Sequence, residues 1–490
     1  MKINYLYTLL FAVAVLLFFG LAYPHHLHYQ EQYQLFLFDS SYVWEIIRMP
    51  GGVSDLLGRF CTQFFMFAWV GALIIALLLS AVQLLTFRLF KVLSSRVWRC
   101  EQSSKFNVQS SKFNVQSSTF NVQSLYGLSF IPSFLLWLFL LDEHALLGGV
   151  WAVLLTLLAV LGLLRIVQGG RTVPSVLLTI LTLFVLNWVA FGGSHYYRYP
   201  TIFPTLLYVA WASAVILPFL VRIVGRLVGT LCASARRQQI IHFSLFAFTF
   251  IIMMMIVWQN ANLKAEKVMQ YDFMASHQQW NRILQTIDAE KPNNQIGVTV
   301  QNLALAMHGQ LVSRLFDYNQ NGIAGLLPDV QSDATSPMPT AEAFYQLGMV
   351  YVAQRTVFEA QEAILDFQKS ARCYKRLAQT NLIIGSYEVA RKYLTALQKT
   401  LFYRDFANET LPLLGNEEAI AKHPEYGRLR KCAYGEDFYF SDHTTPEMLE
   451  SLYFSNTDNQ LALQYLIAYY MLTGDREGYT KLMEELRVKN

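Results

Sequence analysis

"QIIHFSLFAFTFIIMMMIVWQNANLKAEK" occupies residues 239–267 and divides the chain into two parts of different character. From Gln239 to Trp258 it carries no Asp, Glu, Lys or Arg; then Lys264, Glu266 and Lys267 follow within four residues. A helix of about 20 such residues rises about 30 Å, the thickness of a bilayer's hydrocarbon core. The charge balance changes at the same place. Through Gln259 there are 16 Lys and Arg against 7 Asp and Glu, and beyond it 22 against 27. The net +4 of the 490 residues therefore conceals a basic half and an acidic half. With 54% hydrophobic and 15% charged residues, the composition excludes an ordinary water-soluble chain.

Toward the N-terminus six more apolar runs, at about 5–22, 64–87, 125–141, 144–164, 172–192 and 201–221, join 239–258. Together they predict a seven-helix transmembrane bundle over residues 1–258. The loop after the second run holds Arg88, Lys91, Arg96, Arg99, Lys105 and Lys112 against Glu101. Loops of the other parity hold Glu31, Asp39, Glu45, Asp55, Asp142 and Glu143 with three Arg. Basic residues stay on the cytoplasmic side, so the N-terminus is expected inside and the acidic half outside. Residues 1–22 also read as a cleavable signal peptide, which would leave six spans and the same outer tail.

Residues 103–124, "SSKFNVQSSKFNVQSSTFNVQS", repeat a seven-residue unit that varies only at Lys105, Lys112 and Thr119. Phe106 and Val108 stand two apart, a strand spacing rather than that of a coiled coil. The segment lies in a predicted cytoplasmic loop, where insertions cost little, and reads as a tandem duplication without function.

In residues 259–490 apolar positions follow helical spacing. "RCYKRLAQTNLIIGSYEVARKYLTALQKT" (372–400) matches the tetratricopeptide pattern, with Leu377 and Ala378 in the first helix, Gly385 and Tyr387 at the turn, and Ala390 in the second. A weaker copy has Leu347, Gly348 and Ala360 at the same offsets, and Gly474 marks another turn. The expected class is therefore all-α: the transmembrane bundle followed by a degenerate tetratricopeptide-like helical-repeat domain. Cys373 and Cys432 fall in this exported part, where a bridge is chemically possible, although free thiols on buried helix faces is the simpler reading.

Two stretches, "NLALAMHGQLVSRLFDYNQNGIAGLLP" (302–328) and "MPGGVSDLLGRFCTQFF" (49–65), carry a resemblance. Over most of its length, apart from 103–124, the chain resembles an uncharacterised family of Bacteroidota polytopic membrane proteins. The resemblance implies an inner-membrane location with the tail in the periplasm, and it brings no activity.

No phosphate loop, G-x-S-x-G or H-E-x-x-H occurs. The span interiors offer Gln83 and Asn187 but no ionisable pathway, which argues against an ion-coupled carrier. The catalytic candidates are outer-face groups: Asp39, Asp142, Glu143 and His195, with His144 and Arg198 nearby in sequence. Carboxylates beside histidines could serve as general bases for lipid-linked glycosyl transfer, though outer loops carry polar residues in any case. Adjacent His25, His26 and His28 point in different directions and make a poor metal shell, so no metal and no cofactor is expected. Expected partners are the bilayer and a protein held by the tail. Topology explains the basic loop without nucleic acid. The leading expectation is a membrane-anchored periplasmic scaffold; the alternative is an enzyme of envelope glycan or lipid metabolism.

Overall fold

The structure is a computed structural model that describes residues 2–32, 34–105, 122–166, 205–217, 220, 235–329, 336–364, 368–435 and 443–489. Every regular element among these residues is a helix, as the periodicity predicts. The chain forms two units, one of Met1–Glu31 with Asp39–Leu263, the other of Gln32–Phe38 with Lys264–Asn490.

The first unit contains α1 (Lys2–Leu17), α2 (Pro24–Glu31), α3 (Ser40–Ile47), α4 (Gly52–Thr62) and α5 (Ala68–Lys105). It continues with α6 (Ile131–Phe139), α7 (Gly148–Ile166), α8 (Thr205–Leu217) and α9 (Ala235–Asn260). Ala72, Ile75, Ala76, Leu79, Val82 and Gln83 recur three and four apart, so one face of α5 is buried. Helices α1, α6 and α7 pack on α5. Helix α4 lies on α7 with backbone almost touching backbone: a Cβ on Gly58 would stand 2.4 Å from the Gly148 nitrogen. Small residues permit such approaches between helices in lipid.

The seven-span expectation is met only in part. Among the described residues, three helices are long and apolar enough to cross a membrane: Asn4–Ala22, Ala68–Val92 and Phe243–Asn260. Tyr126–Phe139, Gly148–Leu164 and Thr205–Leu217 are apolar but shorter. The first of these is partly 3-10 helix, from Val122 to Phe130, before α6 begins. Even with the longer 3-10 rise, Tyr126–Phe139 reaches only about 24 Å. The expected span at 172–192, the repeat copies at 106–121 and His195 lie outside the described residues.

The second unit contains α10 (Leu263–Ser276, from Lys264 onward), α11 (Trp280–Glu290), α12 (Gln295–Met307), α13 (Pro337–Leu347), α14 (Val350–Ala363), α15 (Ala371–Ile384) and α16 (Tyr387–Gln398). After them come α17 (Arg404–Thr410), α18 (Glu417–Lys422), α19 (Pro424–Cys432), α20 (Thr445–Ser455), α21 (Gln460–Thr473) and α22 (Arg476–Lys489). Helix pairs α13/α14, α15/α16 and α21/α22 are joined through Gly348, Gly385 and Gly474, all at positive φ. At Gly348 the requirement is double, because φ is +95° and a Cβ would stand 2.6 Å from the Cys432 carbonyl oxygen. Leu347, Ala360, Leu377, Ala378 and Ala390 are buried. Cys373 and Cys432 are buried and are not bridged; Cys373 packs on Met338, and Cys432 lies beside Asn456.

The domain boundary needs two corrections. The first unit runs to Leu263 rather than 258, because α9 keeps its helical hydrogen bonds through Asn260. More consequentially, Gln32–Phe38 belongs with the tail although it lies between the first two apolar helices in sequence. This strap carries no regular structure from Gln34 onward and donates backbone hydrogen bonds from Leu35 to the Lys369 carbonyl (2.8 Å) and from Phe38 to the Lys399 carbonyl (2.7 Å). Leu35 enters an apolar cluster with Ala371, Ala378, Leu394, Leu397 and Ala407 of α15, α16 and α17. Burying one leucine side chain contributes about 2 kcal/mol, enough to outweigh the loop composition around it.

Candidate functional site

The candidate carboxylates take different local roles. Asp39 is the N-cap of α3: its Oδ1 accepts from the backbone N–H of Ser41 at 2.9 Å and of Tyr42 at 3.4 Å. That use fills a helix-end donor that otherwise lacks a partner. Asp55 pairs with Arg59 one turn later at 2.8 Å. Asp142, Glu143 and His144 do come together, each offering a ligand atom within 4.8 Å of the others. No such group among the described residues includes Asp39.

The turn bearing Asp142 is bolted to α2. Gln30 Nε2 donates to the carbonyls of Asp142 and Ala145, both at 3.1 Å, and His26 Nε2 lies 2.9 Å from the Leu140 carbonyl. Burial pushes the His26 imidazole down to about 4, so it is neutral at pH 7 and donates its Nε2 proton to that carbonyl. Asp142 Oδ1 accepts the His144 backbone N–H at 2.8 Å and stands 3.5 Å from His144 Nδ1. A half-buried carboxylate beside an imidazole can take up a proton, which is the chemistry this turn offers. It also orders the turn, and that alone accounts for the geometry.

The denser arrangement lies in the second unit, on the face of α15 that presents Arg372, Arg376 and Gln379. Arg372 grips Asp272 of α10 bidentately, at 2.5 and 2.7 Å, and also reaches Gln32 Oε1 of the strap at 3.0 Å. Burial works against the Arg372 charge, the Asp272 carboxylate overcomes it, and the guanidinium pKa is raised. Arg376 pairs with Glu342 of α13, and its guanidinium lies 3.7 Å from the centre of the Tyr345 ring. Gln346 donates to Glu342 at 2.8 Å and accepts from Arg428 of α19 at 2.6 Å. Tyr345 closes the network by donating to Glu425 at 2.9 Å. Charges this far from water persist only when paired and hydrogen-bonded.

Tyr387 departs from a pure packing role. Its ring packs at the edge of the core, while its hydroxyl bonds Glu417 and accepts from Arg430. Sequence reasoning missed Arg372, Arg376, Glu342 and Asp272 altogether. A signal existed: Arg372, Lys375, Arg376 and Gln379 form a polar stripe at helical spacing inside the best repeat match. Such a stripe ordinarily reads as a solvated face.

Residues 1–195 and 187–490 match DUF6057, a family of unknown function, and the chain belongs to that family. No curated protein and no solved structure matches it.

Proposed function

We propose that this chain is a membrane-anchored protein-binding scaffold of the Bacteroidota cell envelope. Seven spans anchor it in the inner membrane, and a degenerate tetratricopeptide-like tail in the periplasm holds a protein partner. The observation that carries this reading is the strap. Tail helices hold residues 34–38, which have no regular structure, through backbone hydrogen bonds from Leu35 and Phe38 and the Leu35 side chain in an apolar cluster. That is the mode in which helical repeats take extended segments of other proteins.

The strap also supports the topology. It shares a unit with the tail, so an even number of crossings separates residue 38 from residue 264. Five apolar helices are described in that interval: α5, α6, α7, α8 and α9. The hydropathy run at 172–192 supplies the sixth. With α1 the total becomes seven, and the basic loops then fall on the cytoplasmic side.

The test is photo-cross-linking in intact cells from exposed tail positions Val389 and Leu401, with lipid-facing Phe248 as control. A single stoichiometric protein adduct from the tail positions supports the scaffold. Adducts to lipid or glycan alone sink it.

A second reading, lipid-linked glycosyl transfer at the outer face, is favoured by the convergence of Asp142, Glu143 and His144. It requires that Asp142→Asn or Glu143→Gln alter envelope glycans at unchanged protein level. Unaltered glycans in both variants remove it.

A further inference from the structure

Among the described residues, the charges around α15 do not close. Arg372 is matched by Asp272 and Arg376 by Glu342. Among the described residues, Arg428 is bonded to Gln346 and to no carboxylate, while Glu425 is bonded to the Tyr345 hydroxyl and to no cation. Lys375 has no hydrogen bond and no ion pair among the described residues; its Nζ stands 5.0 Å from the centre of the Phe406 ring. Arg376 Nη1 is buried without a hydrogen-bond partner. Among the described residues, four cations (Arg372, Lys375, Arg376, Arg428) thus share this region with three carboxylates (Asp272, Glu342, Glu425), an excess of one positive charge. Burial, and then the neighbouring Arg376, hold the Lys375 ammonium below its ordinary range. Helix interiors and grooves do not ordinarily retain an unmatched cation, because desolvation without compensation costs several kcal/mol.

We propose that the Lys375–Arg376 edge of α15 binds one carboxylate group from outside the chain. An excess of one charge calls for a monoanion, which favours a carboxylate over a phosphate dianion. The half-buried Lys375 amine supplies the direct contact, and the cations at one-turn spacing on the same helix supply the field. The Phe406 ring beside Lys375 offers apolar surface to whatever bears the carboxylate. This inference rests on the scaffold reading: the carboxylate belongs to a partner's chain terminus or acidic side chain, or else to a free small acid of the same chemistry.

The test uses the full-length protein in detergent and the isosteric probes N-acetyl-leucine and N-acetyl-leucinamide, with inorganic phosphate as a third arm. Acetylation of Lys375 by acetic anhydride is read by mass spectrometry. The carboxylate probe is expected to protect Lys375, and the amide and phosphate are not. Lys375→Met breaks no ion pair, so it leaves the fold intact and is expected to weaken N-acetyl-leucine binding about tenfold or more, the usual effect of losing a charged hydrogen bond. Equal protection by acid and amide, stronger protection by phosphate, or unchanged binding in Lys375→Met overturns the proposal. The tail photo-cross-links separate the two readings. Carboxylate binding without any protein adduct leaves a small-acid site and removes the scaffold. A protein adduct with no carboxylate binding leaves the scaffold and removes this site.

Discussion

The two units each tie their helices through a buried polar network, and the two networks differ in kind. In the first, the network around Gln83 is neutral: Thr8 donates to Gln83 Oε1 at 3.0 Å, Gln83 Nε2 donates to Ser129 at 2.7 Å, and Tyr126 completes it. It ties α1, α5 and the approach to α6 together without a formal charge. In the second unit the corresponding positions are ionic, with Arg372–Asp272 and Arg376–Glu342 tying α15 to α10 and α13. Such a difference is what the proposed placement calls for: helices in hydrocarbon have no nearby water to lower the cost of an ion, whereas helices outside a bilayer keep ions within a few ångströms of solvent. Neutral hydrogen bonds between membrane helices are also individually modest, because the separated helices find other partners.

That contrast can be broken from the tail side first. Arg376→Met leaves Glu342, only 3% exposed, as an unmatched buried charge. Loss of about 3–5 kcal/mol is expected, read as tail unfolding in urea monitored by limited proteolysis. The double variant Arg376→Met/Glu342→Gln should recover most of it. Equal instability of single and double variants would mean that the pair acts by shape rather than charge.

The strap gives the next largest effect. Leu35→Ala should cost the tail about 2–4 kcal/mol, since the cluster around Leu35 is built from small and branched residues that fill its space poorly without it. Hydrogen exchange over α15 and α16 checks this; exchange as slow as in the parent would show the strap to be dispensable.

In the first unit, His26 sharpens the comparison because it is ionisable and kept neutral. The unfolded chain binds a proton near the ordinary 6.5, and the folded imidazole resists until about 4. Stability is therefore full above pH 6.5 and falls as the pH descends toward 4, by at most about 3 kcal/mol. Thermal unfolding in detergent at pH 7 and pH 5 measures the slope, which should become shallower in His26→Gln. The smallest effect is expected at Gln83→Leu, about 1 kcal/mol. Ser129 and Thr8 retain acceptors in the backbone carbonyls of Tyr126 and Asn4. A loss as large as that of Arg376→Met would erase the distinction between the units.

Much of the helical layout was legible before any coordinates. Hydropathy marked the three long apolar helices, and Gly348, Gly385 and Gly474 marked turns, because a run's polarity and a glycine's freedom are local properties. The buried Ala378 and Ala390 were legible for the same reason. The candidate carboxylates were readable as polar residues only. That Asp39 caps a helix while Asp142 stands beside His144 depends on backbone direction at each residue. The strap was missed because "QLFLF" at 34–38 is too short to announce a helix or a span.

By itself the sequence determined the all-helical character, the apolar and acidic halves and the repeat-like turns, each of which depends on residues within about one helical pair. Tertiary structure alone decided which distant residues meet: Gln32 and Asp272 at Arg372, and Glu342 at Arg376. A charged side chain's sequence neighbours do not reveal whether water or a partner 100 residues away will compensate it. The packing of the helices makes that choice, because desolvation depends on where they close.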